Sequence, residues 1–234
     1  MPKDGRPTRE RLLDTAEALF ARKGYHAVSI RNITNLARVD VSLVHYHFGS
    51  KQDLLAEVVE RRAAIMNRAR LEALIALQKA KRPEIPDAEE VLHAYLDPLL
   101  DLYVNADEGW KNYFALIAQV NNSAEWARTL MNRHFNDCVQ EFIEALQDAM
   151  PGLETADLYW GYHFLSGALT LTFAETGRID VLSGGECRSS DVEAIYARFP
   201  SFFTGGFVHL LERSKSLRKS PRKRQKTRAA ARQV

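Results

Sequence analysis

The sequence predicts an all-α protein in which a small N-terminal three-helix unit precedes a larger helical bundle. Three observations lead to this prediction. Patterns typical of β-strands are nearly absent, and apolar residues recur at helical spacing along almost every segment. Two short predicted helices within residues 29–47 are joined by a tight turn, which is the arrangement of a helix-turn-helix. Hydrophobic residues make up 46% of the 234-residue chain, enough to form a sizeable core.

The first two helices can be placed from their capping residues and apolar faces. Thr8 can cap the first helix, and apolar residues then share one face from Leu12 to Phe20. Gly24 is expected to end this helix, because glycine tolerates the backbone conformation that follows a helix. Ser29 can cap the second helix, which carries an apolar face of its own.

The third predicted helix is short and the fourth is long. A tight turn places Asp40 where it can cap a third helix over residues 41–47. Ser50, with Asp53 three residues further on, then has the spacing of a capping box. Apolar periodicity predicts that the fourth helix continues to about Ala80.

Clusters of proline, glycine and asparagine divide the rest of the chain. Residues 176–190 contain three glycines and are expected to form a loop. A last helix is predicted over residues 191–213, with a kink or break at Pro200 or at Gly205-Gly206. The four helices before the loop are predicted over residues 87–104, 110–120, 124–149 and 153–175.

Charge is strongly segregated along the chain. Residues 1–51 contain nine basic and five acidic residues (net +4), residues 52–212 contain 13 and 25 (net −12), and residues 213–234 contain ten and none (net +10). The basic N-terminal unit predicts a polyanionic partner at that end, with the acidic part facing away from it. Residues 214–234 are expected to be disordered, either simply solvated or attracted non-specifically to phosphates.

Several other classes of protein are disfavoured. No stretch of 18 apolar residues occurs, so no membrane association is predicted. Cys138 and Cys187 form no metal-type or redox-type pair, which favours a reducing, cytoplasmic location. His45 and His47 point about 200° apart on a helix, so they cannot bind one metal ion together. No phosphate-binding loop, nucleophile–base pair or ligand cluster occurs, so no cofactor, no metal and no enzymatic activity are predicted.

Residues 29–47 place a reading helix where it could enter the major groove of DNA. Ser29 and Arg31 at the start of the second helix can hold phosphates, as can Lys51 and the amides that open the fourth helix. An ordinary helical hairpin is the alternative interpretation of the spacing alone. The hydroxyl groups and ring nitrogens of the reading helix come from Ser42, His45, Tyr46 and His47.

The run Tyr46-His47-Phe48, followed by Lys51 and preceded by Gly24-Tyr25, closely resembles the DNA-binding domain of the TetR (tetracycline repressor) family. The resemblance covers about residues 8–55. His45 stands where many members have tyrosine or a small polar residue, so base preference is not carried over. By matching position, the family's usual DNA contacts fall on Ser29, Arg31, Val41, Ser42, His45, Tyr46, His47 and Lys51.

The resemblance implies a ligand-responsive transcriptional regulator that binds a near-palindromic, double-stranded DNA operator as a homodimer. The usual behaviour of the family favours a repressor that is released from DNA when it binds a small-molecule effector. A transcriptional activator, or a DNA-binding protein of the same fold without a ligand, remains the alternative. The implied units are a helix-turn-helix head over residues 1–52, a ligand-binding and dimerisation body over residues 53–213, and a basic tail over residues 214–234.

The resemblance further implies that the last two long helices pair with those of a partner subunit. Both predicted helices, 153–175 and 191–213, are rich in apolar residues. The predicted dimerisation residues are Phe164, Leu165, Leu169, Phe202, Phe203 and Phe207.

The run from Tyr159 to Phe164 resembles the branch of the family that includes fatty-acid-responsive regulators, which implies a lipophilic or acyl-bearing effector. Core packing is the alternative explanation for most aromatic residues of this region. For His163, a hydrogen-bonded core histidine is the alternative to a ligand contact. The candidate ligand-binding residues are Tyr113, Phe114, Ile117, Asn121, Arg133, Tyr159 and His163.

Overall fold

A computed structural model describes residues 6–105 and 107–219 of the chain. Within these ranges every regular element is a helix, which confirms the predicted fold class. The helices are α1 (Thr8–Lys23), α2 (Ile30–Ala37), α3 (Ser42–Phe48), α4 (Lys51–Lys81), α5 (Ala88–Asn105), α6 (Glu108–Asn121), α7 (Ala124–Trp126), a π-helical segment (Ala127–Met131), α8 (Asn132–Ala149), α9 (Thr155–Phe173), α10 (Arg178–Leu182) and α11 (Val192–Lys219).

Capping side chains set where the short helices of the head begin. Ser29 Oγ accepts a hydrogen bond from the N–H of Asn32 (3.1 Å), and the Asn32 side chain accepts one from the N–H of Ser29 (2.8 Å). This reciprocal capping box starts α2 at the predicted place. Asp40 accepts a hydrogen bond from the N–H of Ser42 (2.8 Å) at the start of α3. Thr8 is the first residue of α1 and not its cap, because Pro7 occupies the capping position.

The predicted tight turn between α2 and α3 is confirmed. Arg38 adopts a left-handed backbone conformation with φ of +55°, and its N–H donates to the carbonyl oxygen of Asn35. The buried guanidinium of Arg11 donates a hydrogen bond to the carbonyl oxygen of Ala37. α1 therefore satisfies a carbonyl that the end of α2 leaves without a helical partner. This contact fixes the point at which the chain enters α3.

One long helix, α4, joins the head to the body. Ser50 caps it by accepting a hydrogen bond from the N–H of Asp53 (3.1 Å), as predicted. Its 31 residues end at Lys81, close to the predicted end. At 1.5 Å per residue the helix is about 45 Å long. α4 therefore connects the surface of the head, at Lys51, with the interior of the body, where it packs against α5 and α8.

A buried carboxylate ties the head to α4. Glu17 of α1 is only 1% exposed. It accepts hydrogen bonds from Arg61 Nη2 (2.9 Å) and from Arg62 Nε and Nη2 (2.7 and 3.0 Å). Arg62 continues the contact into α6, where its guanidinium lies 5.0 Å from the ring of Trp110. A Cβ atom at Gly109 would overlap that guanidinium, so a larger residue there would displace the end of the Arg62 side chain.

The body agrees with the predicted helices in number and approximate position, with two local differences. The helix predicted over residues 124–149 contains a π-helical segment, Ala127–Met131, and the loop predicted over residues 176–190 contains the short helix α10. π-Helical segments are rare and are found frequently at functional sites.

The last helix differs most from the prediction. α11 runs without a break through Pro200 and Gly205-Gly206, and it ends at Lys219. Proline removes one backbone donor, but the buried side chains of Phe203 and Phe207 hold this part of the helix against the body. The expectation of disorder is therefore wrong for residues 214–219, while residues 220–234 lie outside the described part of the chain.

Replacing Glu17 by Gln should lower the free energy of unfolding by about 3 kcal/mol, because two arginines would lose a buried carboxylate partner. Urea denaturation followed by circular dichroism measures this. Glu10→Gln is the matched control on the same helix: 44% of the Glu10 side chain is accessible, although it also pairs with Arg61 (3.4 Å), so its loss should cost under about 1 kcal/mol. Equal losses in the two variants would show that burial of Glu17 adds nothing.

Candidate nucleic-acid interface and internal cavity

The eight residues predicted to contact DNA all lie on one part of the head. Two begin α2, five lie at the start of α3 or within it, and Lys51 is the first residue of α4. Six are exposed, and Tyr46 is the most prominent, with 81% of its surface accessible. His47 and Lys51 are half-buried. The opposite face of α3 is fixed in the core by Val44 and Phe48, so the helix presents its polar side chains from a rigid base.

The His45 ring is held in one orientation by the end of its own helix. Its Nδ1 lies 2.9 Å from the carbonyl oxygen of Gly49. A carbonyl oxygen can only accept, so Nδ1 carries the proton of this hydrogen bond. In the neutral ring, Nε2 is then left as an exposed acceptor. An acceptor at this position complements the amino groups that cytosine and adenine present in the major groove.

Lys51 lies over an aromatic ring at the edge of this surface. Its Nζ is 3.9 Å from the centroid of the Tyr25 ring, a cation–π contact. Burial lowers the pKa of Lys51. The Tyr25 ring also contacts Trp126 of the body, with 4.9 Å between ring centroids. Lys51 and the surface of the head are thus linked through one tyrosine to the segment next to the π-helical turn.

A second connection between head and body lies on α6. Gln119 Nε2 donates a hydrogen bond to the carbonyl oxygen of Ala21, near the end of α1 (2.7 Å). α6 also packs against α1. The position of α1, and with it the position of the head, therefore depends on α6 as well as on α4.

The body contains a partly open cavity of about 50 Å³ between α4, α5, α6, α8 and α9. A larger cleft of about 490 Å³ opens beside it and shares several of its wall residues. The π-helical segment forms part of the cleft through Arg128 and Met131. The residues common to cavity and cleft are Asn121, Met131, Phe135, Tyr162, Ser166 and Thr170.

Four of the seven candidate ligand contacts line the cavity: Tyr113, Phe114, Ile117 and Asn121. His163 is exposed and lines the cleft, so the expectation that it points into a buried interior is wrong.

Arg133 and Tyr159 line neither the cavity nor the cleft, so their prediction as ligand-binding residues is wrong. Arg133 is exposed because α8 buries Phe135, and a residue two positions away on a helix points in nearly the opposite direction. Tyr159 is exposed beside buried Leu158, and its hydroxyl donates to Gln140 Oε1 (3.2 Å).

Arg70 of α4 is the most distinctive residue of the cavity and was not among the residues predicted from the sequence. It lies on the buried face of α4 between Met66 and Leu74, both of which are core residues. An arginine at a position where the periodicity requires an apolar residue was the available signal.

The predicted dimerisation residues fall into two groups. Phe164 and Phe202 are exposed, by 59% and 76%. The other four are buried within the single chain, where α9 and α11 pack against α6 and α5 and against each other, so their side chains form the core of the subunit and not an exposed face. The prediction is revised for these four, which are Leu165, Leu169, Phe203 and Phe207.

No group of three or more His, Cys, Asp or Glu side chains that could hold a metal ion occurs within residues 6–105 and 107–219. In the same ranges, no helix is both long enough and apolar enough to cross a membrane.

Fold and surface together define a helix-turn-helix protein with a helical C-terminal domain, and family comparisons agree. Residues 12–58 match the family model of bacterial regulatory proteins of the tetR family, and residues 93–206 match the model of a tetracyclin repressor-like C-terminal domain. The chain belongs to the TetR family. Membership places it among bacterial regulatory proteins and not among enzymes.

Curated relatives are similar over part of their length. The transcriptional repressor NicS of Pseudomonas putida is 31% identical over 101 residues, which cover 43% of this chain and 44% of NicS. The transcriptional regulator UidR of Escherichia coli is 29% identical over 59 residues, which cover 25% of this chain and 30% of UidR. The aligned regions thus span less than half of either relative.

Solved structures share the fold over most of the chain. The fatty acid degradation regulator FadR of Bacillus halodurans superposes with a TM-score of 0.57 at 17% identity, covering 87% of this chain and 98% of FadR. SmeT, repressor of the multidrug efflux pump SmeDEF of Stenotrophomonas maltophilia, gives a TM-score of 0.56 at 19% identity, covering 78% of this chain and 87% of SmeT. At these identities the similarity establishes the architecture alone.

Proposed function

We propose that the chain is a ligand-controlled transcriptional repressor that binds a near-palindromic DNA operator as a homodimer. The observation that carries this proposal is the exposed polar face of α3, which is anchored in the core by Val44 and Phe48. A helix presented in this way fits the major groove. The relatives described as repressors, NicS and SmeT, support repression as the outcome of binding.

Within the proposed complex, the residues of the head divide into two roles. Tyr46, Ser42 and His45 face the base edges, with Val41 and His47 beside them, and His45 Nε2 accepts from an exocyclic amino group. Ser29, Arg31, Lys51 and the first amides of α4 contact phosphates. Phosphate contacts release counterions, so affinity should fall steeply as salt concentration rises.

A second copy of the chain is proposed to cover the exposed face of α9 and α11. Trp160 and Phe164 stack with 5.9 Å between ring centroids, and both remain more than half exposed, as does Phe202 on α11. A monomeric protein rarely exposes such a group of large apolar side chains. Twofold pairing through this face would present two copies of α3 to successive major grooves.

The cavity in the body is proposed to receive the effector. Its walls are mostly apolar, which suits a lipophilic body, and it adjoins the two helices, α4 and α6, that hold the head. An effector that binds better when the two heads no longer fit the operator spacing would shift the population towards release. The proposed units are those expected above: a head over residues 1–52 and a body over residues 53–213.

Tyr46→Ala tests the reading helix. DNA bound by the wild-type protein is first selected from a random pool, and fluorescence anisotropy then measures affinity. Removal of the ring should weaken binding at least tenfold while the oligomeric state stays unchanged, because 81% of the Tyr46 surface is exposed and its ring is not part of the core. Tyr196→Ala, which removes a partly exposed tyrosine from α11, is the control and should bind as wild type does. Unchanged affinity of Tyr46→Ala would refute its proposed role.

The proposed dimer face is tested by Phe164→Glu and Phe202→Glu. Each places a charge in the proposed interface without altering the core of the subunit, so the dimer should dissociate at least ten times more readily. Analytical ultracentrifugation measures this. Ile75→Glu, at a similarly exposed position on α4, should leave the dimer intact. A stable dimer in both phenylalanine variants would place the interface elsewhere.

A further inference from the structure

We propose that the cavity binds the carboxylate of a small organic acid, with Arg70 as the group that recognises its charge. This inference rests on the proposed function, because it names the chemical class of the effector. It depends on three features of the body: a buried cation without a counter-charge, a buried hydroxyl without a partner, and an adjoining cleft that opens to the surface.

Arg70 is buried and carries an uncompensated charge. Only 3% of its surface is exposed. Its Nε donates to the carbonyl oxygen of Tyr95 (3.0 Å), its Nη1 lies 3.4 Å from the Tyr95 hydroxyl, and its Cζ lies 4.1 Å from the Tyr95 ring. No carboxylate within the described residues forms an ion pair with it. Burying a cation in this way is costly, and an anionic ligand would remove the cost.

Arg70 also has a structural task that does not require its charge. Pro98 inside α5 removes the N–H that would donate to the carbonyl oxygen of Ala94, which weakens the hydrogen bonding of the helical turn that contains Tyr95. One N–H donor satisfies the Tyr95 carbonyl, and a neutral side chain could supply it. Within the described part of the chain, Nη2 of Arg70 has no hydrogen-bond partner, so the guanidinium keeps donors for a ligand.

Tyr113 supplies a second donor in the same cavity. It is fully buried, and its hydroxyl has no hydrogen-bond partner among the described residues. Burial raises the pKa of Tyr113, so the phenol stays protonated and can donate. A guanidinium and a neutral hydroxyl lining one small space match the acceptor oxygens of a carboxylate.

The shape of the space indicates how the acid would lie. At about 50 Å³ the cavity holds only a small group, whereas the adjoining cleft of about 490 Å³ can hold the remainder of a ligand. Leu99, Phe114 and Phe173 make the cavity wall apolar. Arg128 of the π-helical segment adds a cation to the cleft. The carboxylate is therefore placed innermost, with the apolar part of the acid against the cavity wall and the remainder extending into the cleft, which is lined largely by polar side chains.

Occupancy of this site would act on both helices that hold the head. Arg70 belongs to α4, whose first residue is Lys51, and Tyr113 belongs to α6, which packs on α1 and bonds to Ala21 through Gln119. A carboxylate held by both side chains would fix the distance between these two helices. An acid bound in the cavity could therefore change the position of the head through α4 and α6.

The test compares acids with their uncharged amides on the full-length protein without DNA. The probes are octanoate with octanamide and 4-phenylbutyrate with 4-phenylbutyramide, and isothermal titration measures each affinity. At least one acid should bind at least ten times more tightly than its amide. Arg70→Gln should remove this preference, Arg70→Lys should retain part of it, and Arg68→Gln, at an exposed position on the same helix, should leave it unchanged.

Tyr113→Phe gives a second measurement that does not disturb Arg70. It removes only the unpartnered hydroxyl, so the protein should melt no earlier than wild type while binding the acid several-fold more weakly. The proposal would be overturned if neither acid binds, or if acids and amides bind with equal affinity. It would also be overturned if Arg70→Gln melts earlier than wild type but keeps the full preference for acids. Because no DNA is present, these outcomes are independent of whether Tyr46→Ala supports the proposed function.

Discussion

The buried contact of Glu17 with Arg61 and Arg62 is the interaction on which the rest of this molecule depends. A carboxylate removed from water needs cationic partners, and both come from the one helix that passes from head to body. α1 is thereby fixed to α4 about three turns beyond the start of that helix. Since Arg11 of α1 also holds the end of α2, the same helix determines where the tight turn and α3 lie. The position of the exposed reading face thus follows from a charge buried well away from it.

Sequence reasoning was reliable where structure is decided locally. Ser29 and Ser50 cap the helices they were expected to cap, because a side-chain oxygen three residues before a free N–H acts without help from distant parts of the chain. Asp40 accepts the expected kind of hydrogen bond from the N–H of Ser42, although Val41 occupies the capping position of α3. The polar face of α3 was equally accessible, since its apolar residues identify the buried side. Local rules failed where distant contacts decide: α11 continues past Pro200 because Phe203 and Phe207 are buried against the body.

Inside the body, composition alone could not assign faces. The pattern marked Leu165 and Phe207 as apolar, but an apolar residue can serve the core of one subunit or the contact between two, and only packing separates the two uses. The same limit applies to polar residues: Arg133 was expected inside and is exposed, while Arg70 is buried. Arg70 interrupts an apolar series on α4. Periodicity therefore identifies it as a candidate functional residue, provided that charged residues at core positions are considered as candidates. No pattern could show that its charge is left without a partner.

The strengths of the contacts between head and body indicate which of them an effector could change. Allosteric coupling between two sites is typically about 1–3 kcal/mol. The hydrogen bond from Gln119 to Ala21 and the ring contact of Tyr25 with Trp126 are each worth about 1 kcal/mol, so together they fall within that range. Breaking the Glu17 contacts would cost about 3 kcal/mol or more, beyond what such coupling supplies. Under the proposed control by an effector, the Glu17 contacts are therefore expected to persist, and the contacts of Gln119 with Ala21 and of Trp126 with Tyr25 are the ones expected to change.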